Sequence, residues 1–210
     1  TRGNQTAALL VWFNASTGQR TWATYYGGIT RAGFFQDVRL DTSGNIFVLG
    51  GSAPNTFPTP TDHPGNVATA GTFRQTGGSS TSYLVKFNAA GVRQWGTFVA
   101  GSEKRSIGTG SGSSLELDSS GNVYIAGSGA NSTYDANLPA NVGEGTVVTT
   151  DQGYLAKFAG SNGTRLWGRF FNGTLSDLQL DEASGRIHAV GTTTSSTGVA
   201  SSGAHRTSLT

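Results

Sequence analysis

Apolar and polar residues along the chain fall into short strand-like segments closed by turn chemistry, with no long 3.6-residue periodicity. The segment "NIFVLGG", Asn45 to Gly51, is apolar on both faces: Ile46 and Val48 lie on one, Phe47 and Leu49 on the other. "NVYIAG", from Asn122, repeats the pattern, and the segment with Trp22, Thr24 and Tyr26 against Ala23 and Tyr25 carries bulk on both faces. A strand with one face in water would alternate, so these strands are expected to be covered on both sides. Each doubly apolar segment follows a turn such as "LDTSGNIF". There the Asp41 carboxylate can accept from backbone N–H groups just ahead, and Gly44 can take the left-handed conformation of a type I turn with a bulge. Gly121 and Gly185 repeat this role after Asp118 and Asp181, and Gly18, Gly91 and Gly163 hold the equivalent place in a second kind of hairpin that carries a tryptophan.

The hairpins recur. Trp22, Trp95 and Trp167 lie 73 and 72 residues apart, and Asp41, Asp118 and Asp181 lie 77 and 63 apart, so the length differences sit in loops. Aligned on the tryptophans, the modules open "LLVWFNASTGQRTWATYYGG", "YLVKFNAAGVRQWGTFVAG" and "YLAKFAGSNGTRLWGRFFNG", each followed by its Asp hairpin. This divides the chain into modules 1 to 78, 79 to 150 and 151 to 210, each two hairpins or four strands, with a long Pro/Gly-rich connection over 50–82 in the first. With no helices to cover them, four-stranded sheets must pack on one another. The expected fold is all-β: a propeller-like array of about three four-stranded antiparallel blades. Three such blades do not close a ring of ordinary curvature, so the chain is expected to be part of a larger or assembled structure.

Composition changes this picture little. Of 210 residues, 32 are Gly, 35% are hydrophobic and only 12% are charged, enough apolar material for a core under a sparsely charged surface. The absence of Cys excludes disulfides, thiolate nucleophiles and Cys-based metal sites. The net charge is +2, but the 14 Lys and Arg are scattered among 12 carboxylates, so no nucleic-acid stripe forms. There is no apolar run of the roughly 18 residues that span a bilayer, which predicts a soluble protein without membrane insertion, and an opening "TRGNQT" without Met favours a processed or excised chain.

The motifs resemble the SBBP-type bacterial β-propeller repeat: Lys86-Phe87-Asn88, "WATYYGG" from Trp22, "LDTSGNIFVLGG", "NTFPT" from Asn55 and "GTFRQTGG" from Gly71. The resemblance covers nearly the whole chain and implies propeller architecture in a large exported protein, without implying an activity. Module three ends in "SGAHRTSLT", a Gly-Ala-aromatic echo of the loop that precedes a further Tyr-Leu-Val strand. A weaker echo, "FNASTGQRTW" with Thr17, Gly18 and Trp22, is similar to the repeat of quinoprotein dehydrogenases that bind pyrroloquinoline quinone. The later modules fit it less well, and no cofactor is expected.

Candidate chemistry is sparse. His63, His188 and His205 lack metal-ligand spacing, no nucleophile elbow occurs, and one carboxylate per turn falls short of the six to eight oxygens of a calcium site. Asp37, Glu116 and Asp177 sit in or beside the third strands of their modules, where an edge or inter-blade hydrogen bond is the ordinary role. Catalytic, cofactor and metal residues are therefore expected to be none. The structural residues are Trp22, Trp95, Trp167, Asp41, Asp118, Asp181, Gly44, Gly121 and Gly185. Candidate N-glycosylation acceptors are Asn4, Asn14, Asn131, Asn162 and Asn172. The connections Gly50 to Ser82 and Gly127 to Gly153 are long for hairpin links; they either carry recognition, with Tyr134 or Phe73 stacking on sugars, or cover blade edges. The expected function is a non-enzymatic structural or adhesive module of a secreted or cell-surface assembly. Its partners are expected to be copies of itself or further repeats, in the specific form of an extracellular filament. A glycan-binding propeller is the alternative reading, and a fragment of a propeller enzyme a more distant one.

Overall fold

A computed structural model describes residues 7–26, 33–52, 67–75, 82–100, 114–128, 152–196 and 199–208. Among them there is no helix; twelve strands run antiparallel to their neighbours. β1 (Ala8–Phe13) and β2 (Arg20–Tyr26) form a two-stranded sheet. β3 (Gly33–Leu40), β4 (Ile46–Ser52), β5 (Ser82–Phe87) and β6 (Arg93–Ala100) form a four-stranded sheet in chain order. β7 (Ser114–Leu117), β8 (Val123–Ser128), β9 (Gln152–Phe158) and β10 (Arg165–Asn172) form a second, and β11 (Thr174–Asp181) with β12 (Arg186–Thr192) a final pair.

The sheets cut across the sequence modules. Three four-stranded units are expected from the repeat; among the described residues two four-stranded sheets stand between two hairpins. The Asp hairpin β3–β4 pairs with the Trp hairpin β5–β6 of the following module, through Ile46↔Phe87, Val48↔Val85 and Gly50↔Tyr83. β8 and β9 repeat this with Val123↔Phe158, Ile125↔Ala156 and Gly127↔Tyr154. The repeat period is the same whichever hairpin is taken first, so sequence sets the length of the unit but not its phase. Hydrogen bonding sets the phase, and it places residues 78 and 150 inside the connections β4 to β5 and β8 to β9.

Both faces of the four-stranded sheets are covered, as the doubly apolar strands require. Ile46 and Val48 pack with Tyr83, Val85 and Phe98 against Leu10 and the rings of Trp12, Trp22 and Tyr26. Phe47 and Leu49, on the opposite face of the same strand, pack with Trp95 and Val99 against Leu115, Ile125, Tyr154 and Phe158 of the next sheet. Each such side chain taken out of water contributes about 1.5–3 kcal/mol. Gly50 is required by this packing: a Cβ there would stand 2.4 Å from the Phe34 carbonyl oxygen and 2.7 Å from the Tyr83 ring. The Tyr83 hydroxyl donates to that same carbonyl at 3.0 Å, so the bare Gly50 lets the ring cross the strand to reach it.

Candidate functional site

The Asp turns are closed on themselves. In the first, Asp41 Oδ1 accepts from the backbone N–H groups of Ser43 and Asn45, both at 2.9 Å, while Oδ2 accepts from Asn45 Nδ2 at 2.8 Å. Asp118 repeats the Asn122 contacts and gains an ion pair with Lys157 at 2.9 Å. Burial alone would raise both carboxyls, but these hydrogen bonds and the Lys86 and Lys157 charges outweigh it and hold them below the ordinary carboxylate range. Gly44, Gly121 and Gly185 have φ of 76°, 76° and 68°, in the left-handed region. Asp181 sits on an exposed turn, where its carboxylate takes both the N–H and the hydroxyl of Ser184. No cluster of three or more His, Cys, Asp or Glu able to hold a metal occurs among the described residues.

The tryptophans staple sheet to sheet. Trp95 is buried, its Nε1 donates to the Gly160 carbonyl at 3.1 Å, and its ring lies where a Cβ of Gly163 would meet it at 2.8 Å. Trp22 lies in the same way over Gly91, 2.5 Å from the Cβ position, and stacks on Trp12 with ring centroids 4.1 Å apart. Thus the first two Trp hairpins each press an indole onto the turn of the next Trp hairpin along the chain. Among the described residues Trp167 has no such turn against it and meets Tyr124 of its own sheet edge-on, at 6.0 Å. At the other end, the turn of Gly18 has nothing within 4 Å of its Cβ position.

Of the acidic residues in the first strands of the sheets, two are brought together. Arg39 donates to Asp37 Oδ1 at 2.6 Å and to Glu116 Oε1 at 3.1 Å, and Asp37 Oδ2 accepts from the Leu115 N–H at 2.8 Å. One guanidinium shared by two carboxylates, with a backbone donor filling the other side, ties β3 to β7. Asp177 is exposed on β11, where it accepts from the Leu178 N–H.

The remaining candidates separate. His188 is exposed on β12 in the place that Phe47 and Tyr124 hold in their strands, and His205 is exposed; His63 lies outside the described residues. Phe73 packs edge-on against Phe158 at 5.8 Å with Arg165 over its ring at 4.1 Å, so it is held in the protein. Residues 67–75 run along β6 through Thr69 N to Gly96 O and Phe98 N to Arg74 O, so this stretch of the long connection covers a sheet edge. Tyr134 falls outside the described residues, as do Asn4 and Asn131. Asn14 and Asn162 are exposed in Trp-hairpin turns, where their Oδ1 atoms accept from backbone N–H groups, and Asn172 ends β10. Residues 193–196 and 199–208 contribute to a hollow of about 170 Å³ lined by Thr193, Ser195, Val199 and Arg206 among others, well below the roughly 300 Å³ at which small-molecule sites begin.

No family model matches the chain, and no curated protein does.

The feature that stands out is at the two ends of the array. Among the described residues β1 pairs only with β2, and β12 only with β11. Leu9, Phe13 and Tyr25 are 52%, 57% and 77% exposed, whereas Tyr83, Phe87 and Phe98, which hold the same repeat positions, are 0%, 3% and 6% exposed. Val190 on β12 is 61% exposed, whereas its counterpart Leu49 is at 0%. Val38 and Leu40 on β3 are exposed, while Leu115, the counterpart of Val38, is buried. Sequence reasoning, which framed the unit as a whole module, had no signal for these edges, since the residues on them are as apolar as those in the core.

Proposed function

We infer that this chain is a structural and interaction module, an arc of a β-propeller whose open ends take up further blades. The observation that supports this reading is the pair of two-stranded hairpins at the ends, each with a strand edge unpaired among the described residues and with exposed apolar side chains at positions buried in the four-stranded sheets. An unpaired edge beside apolar side chains is a ready template for another strand, and an exposed apolar patch marks a contact surface. The motif resemblance to SBBP-type repeats, the many Asn-x-Ser/Thr triplets and the sparse surface charge support a place in a secreted or cell-surface assembly, acting by adhesion or scaffolding. The test is sedimentation of the 210-residue chain from low to high micromolar concentration. Mass that rises to multiples of 21.7 kDa is expected; a monomer throughout, with its apolar ends inaccessible to a hydrophobic dye, would sink the reading.

A further inference from the structure

The two ends fit each other. Among the described residues, β11–β12 is an Asp hairpin with no Trp hairpin paired to it, and β1–β2 is a Trp hairpin with no Asp hairpin paired to it. We propose that β12 of one copy pairs with β1 of a second copy to build a composite blade, and that two copies close into one six-bladed ring. This rests on the reading of the chain as an assembling propeller arc and gives that assembly its partner, register and number.

The register follows from the two junctions already formed within the chain. Ile46↔Phe87, Val48↔Val85 and Gly51↔Ser82 translate at the ends to Ile187↔Phe13, Ala189↔Val11 and Thr192↔Ala8. That pairing covers at once the residues left bare. Leu9, Phe13 and Tyr25 turn toward the last sheet of the other copy, as Tyr154 and Phe158 turn toward Trp95 and Leu49 within the chain. Val38 and Leu40 gain β11 of the other copy as neighbour, as Leu115 and Leu117 have β3 and β4. Six of the eight exposed large hydrophobic residues among those described, Leu9, Phe13, Tyr25, Val38, Leu40 and Val190, are accounted for by this one contact.

Three independent features support a copy of this chain as the occupant. First, the staple is complementary: Trp167 is the tryptophan without a following turn, and the Gly18 turn is the one without a tryptophan. In the composite ring Trp167 lies on Gly18 of the second copy, with Ala15 in the place of Gly160 to accept from its Nε1. Second, the charges have been exchanged between the two edges. Within the chain the third strand supplies a cation, Lys86 or Lys157, and the second strand an amide, Asn45 or Asn122. At the ends Trp12 stands in the lysine place and Arg186 in the asparagine place, so a junction of β12 with β1 keeps one basic side chain at these two positions, as the junctions within the chain do. An ordinary Asp hairpin before β1 leaves none, and an ordinary Trp hairpin after β12 brings two. Third, Val199-Ala200-Ser201-Ser202-Gly203 repeats Val67-Ala68-Thr69-Ala70-Gly71, with Gly203 at φ 81° against 84° for Gly71 and the same turn bond, Ala204 N to Ser201 O against Thr72 N to Thr69 O. The first copy of that segment covers the outer strand β6; the second is placed to cover β2 of the partner copy, standing further off because Ala23 replaces Gly96.

The number of copies follows from the blade count. The described residues of each copy bring two whole blades and two halves, so a ring built from copies of residues 1–210 alone holds a multiple of three blades. Natural propellers have roughly four to eight, and only six lies in that range. The two junctions are then equivalent by a twofold axis, a heterologous contact that closes.

The chain has no cysteine, so the register can be trapped. The variant Val11→Cys/Ala189→Cys is oxidised and run denatured, alongside the native mass of the unmodified protein. Expected are a native mass of twice 21.7 kDa and covalent dimers, including dimers from a mixture of the two single variants. Val11→Cys with Thr192→Cys, displaced by three residues or about 10 Å, does not bridge, being beyond disulfide reach. Trp167→Ala raises the dimer dissociation constant by about thirtyfold, as for a central interface anchor, and leaves the far-ultraviolet spectrum unchanged. A bridge within one chain, or a ladder of products beyond two copies, overturns the closed pair. Native multiples without the in-register bridge overturn the composite blade but leave the assembly reading standing; a monomer without a bridge overturns both.

Discussion

The contact between the two four-stranded sheets and the contact between the second of them and β11–β12 are made from the same repeat, yet they differ in depth. The first buries Phe47, Leu49, Trp95, Tyr154 and Phe158 with six further residues; the second fully buries only Ala126, Leu175 and Leu178, with Tyr124, Leu155 and Ile187 half covered. The strands themselves account for little of this: β12 carries Ile187 and Ala189 at the repeat positions of Val123 and Ile125 on β8. The difference is the third strand. β8 is flanked by β7 and β9, and β9 brings Tyr154, Ala156 and Phe158 onto the face shared with β4; among the described residues β12 has β11 alone. In a stacked repeat the burial of a residue is set by whether its neighbour is present, and each unit is stabilised by its interfaces more than by itself.

The comparison breaks most sharply at the tryptophans. Trp95→Ala leaves a cavity at the centre of the deep contact and removes one of two donors to the Gly160 carbonyl, the other being Lys86 Nζ at 3.0 Å, at about 3–5 kcal/mol. Trp167→Ala, measured on the isolated chain, costs a small fraction of that, and urea unfolding midpoints at equal slope give the ratio. The next test uses one turn position in two settings. Gly163→Ala and Gly18→Ala both place a side chain at positive φ, 72° and 69°, at about 1–2 kcal/mol of backbone strain. Only Gly163→Ala also drives a Cβ into Trp95, adding about 1–3 kcal/mol of overpacking. If the two variants unfold alike at concentrations where the chain is monomeric, the staple is not packed as described.

A smaller effect separates the Asp turns. Burial would raise the Asp118 carboxyl, but the Asn122 and Lys157 hydrogen bonds hold it low; burial would lower the Lys157 ammonium, but Tyr124 and Asp118 raise it. A depressed carboxyl contributes stability that is present above its unfolded value near 4 and lost as pH falls through its folded value. A raised ammonium contributes stability present below about 10.4 and lost as pH rises through its folded value. Asp118→Asn is therefore expected to cost about 1.5–3 kcal/mol near pH 7, a gap that closes below pH 4 and narrows above pH 11 in denaturant titrations. Asp181→Asn, on an exposed turn without a lysine, is expected to change stability by no more than about 0.5 kcal/mol at any pH. A large cost there would mean that the turns are alike and the comparison fails.

Much of the local structure was legible. The doubly apolar "NIFVLGG" correctly divided Ile46 and Val48 from Phe47 and Leu49, because side-chain alternation in a strand is geometric and needs no context. The hairpins and their glycines could be read for the same reason. The phase of the sheets could not, because Phe87 pairing with Ile46 is a long-range choice that leaves no mark on either strand. Arg39 bridging Asp37 and Glu116 was hidden likewise: the two carboxylates stand 79 residues apart, and only the stacking of β3 beside β7 brings them to one cation. The edge strands were least legible of all, since an apolar residue prepared for a partner and one already buried are written with the same letters.

The offset between repeat and sheet also changes what a cut in the chain can do. Residues 53–81 join β4 to β5 covalently, but the strands are joined as well by the ladder from Ile46↔Phe87 to Gly51↔Ser82. A protease that nicks this connection severs the first module from the second on paper, yet the two pieces remain laced together along a strand pair and stacked face against face. The nicked protein is expected to migrate as one body until denatured, so digestion would reveal the covalent repeat only after the fold that interlocks it has been dissolved.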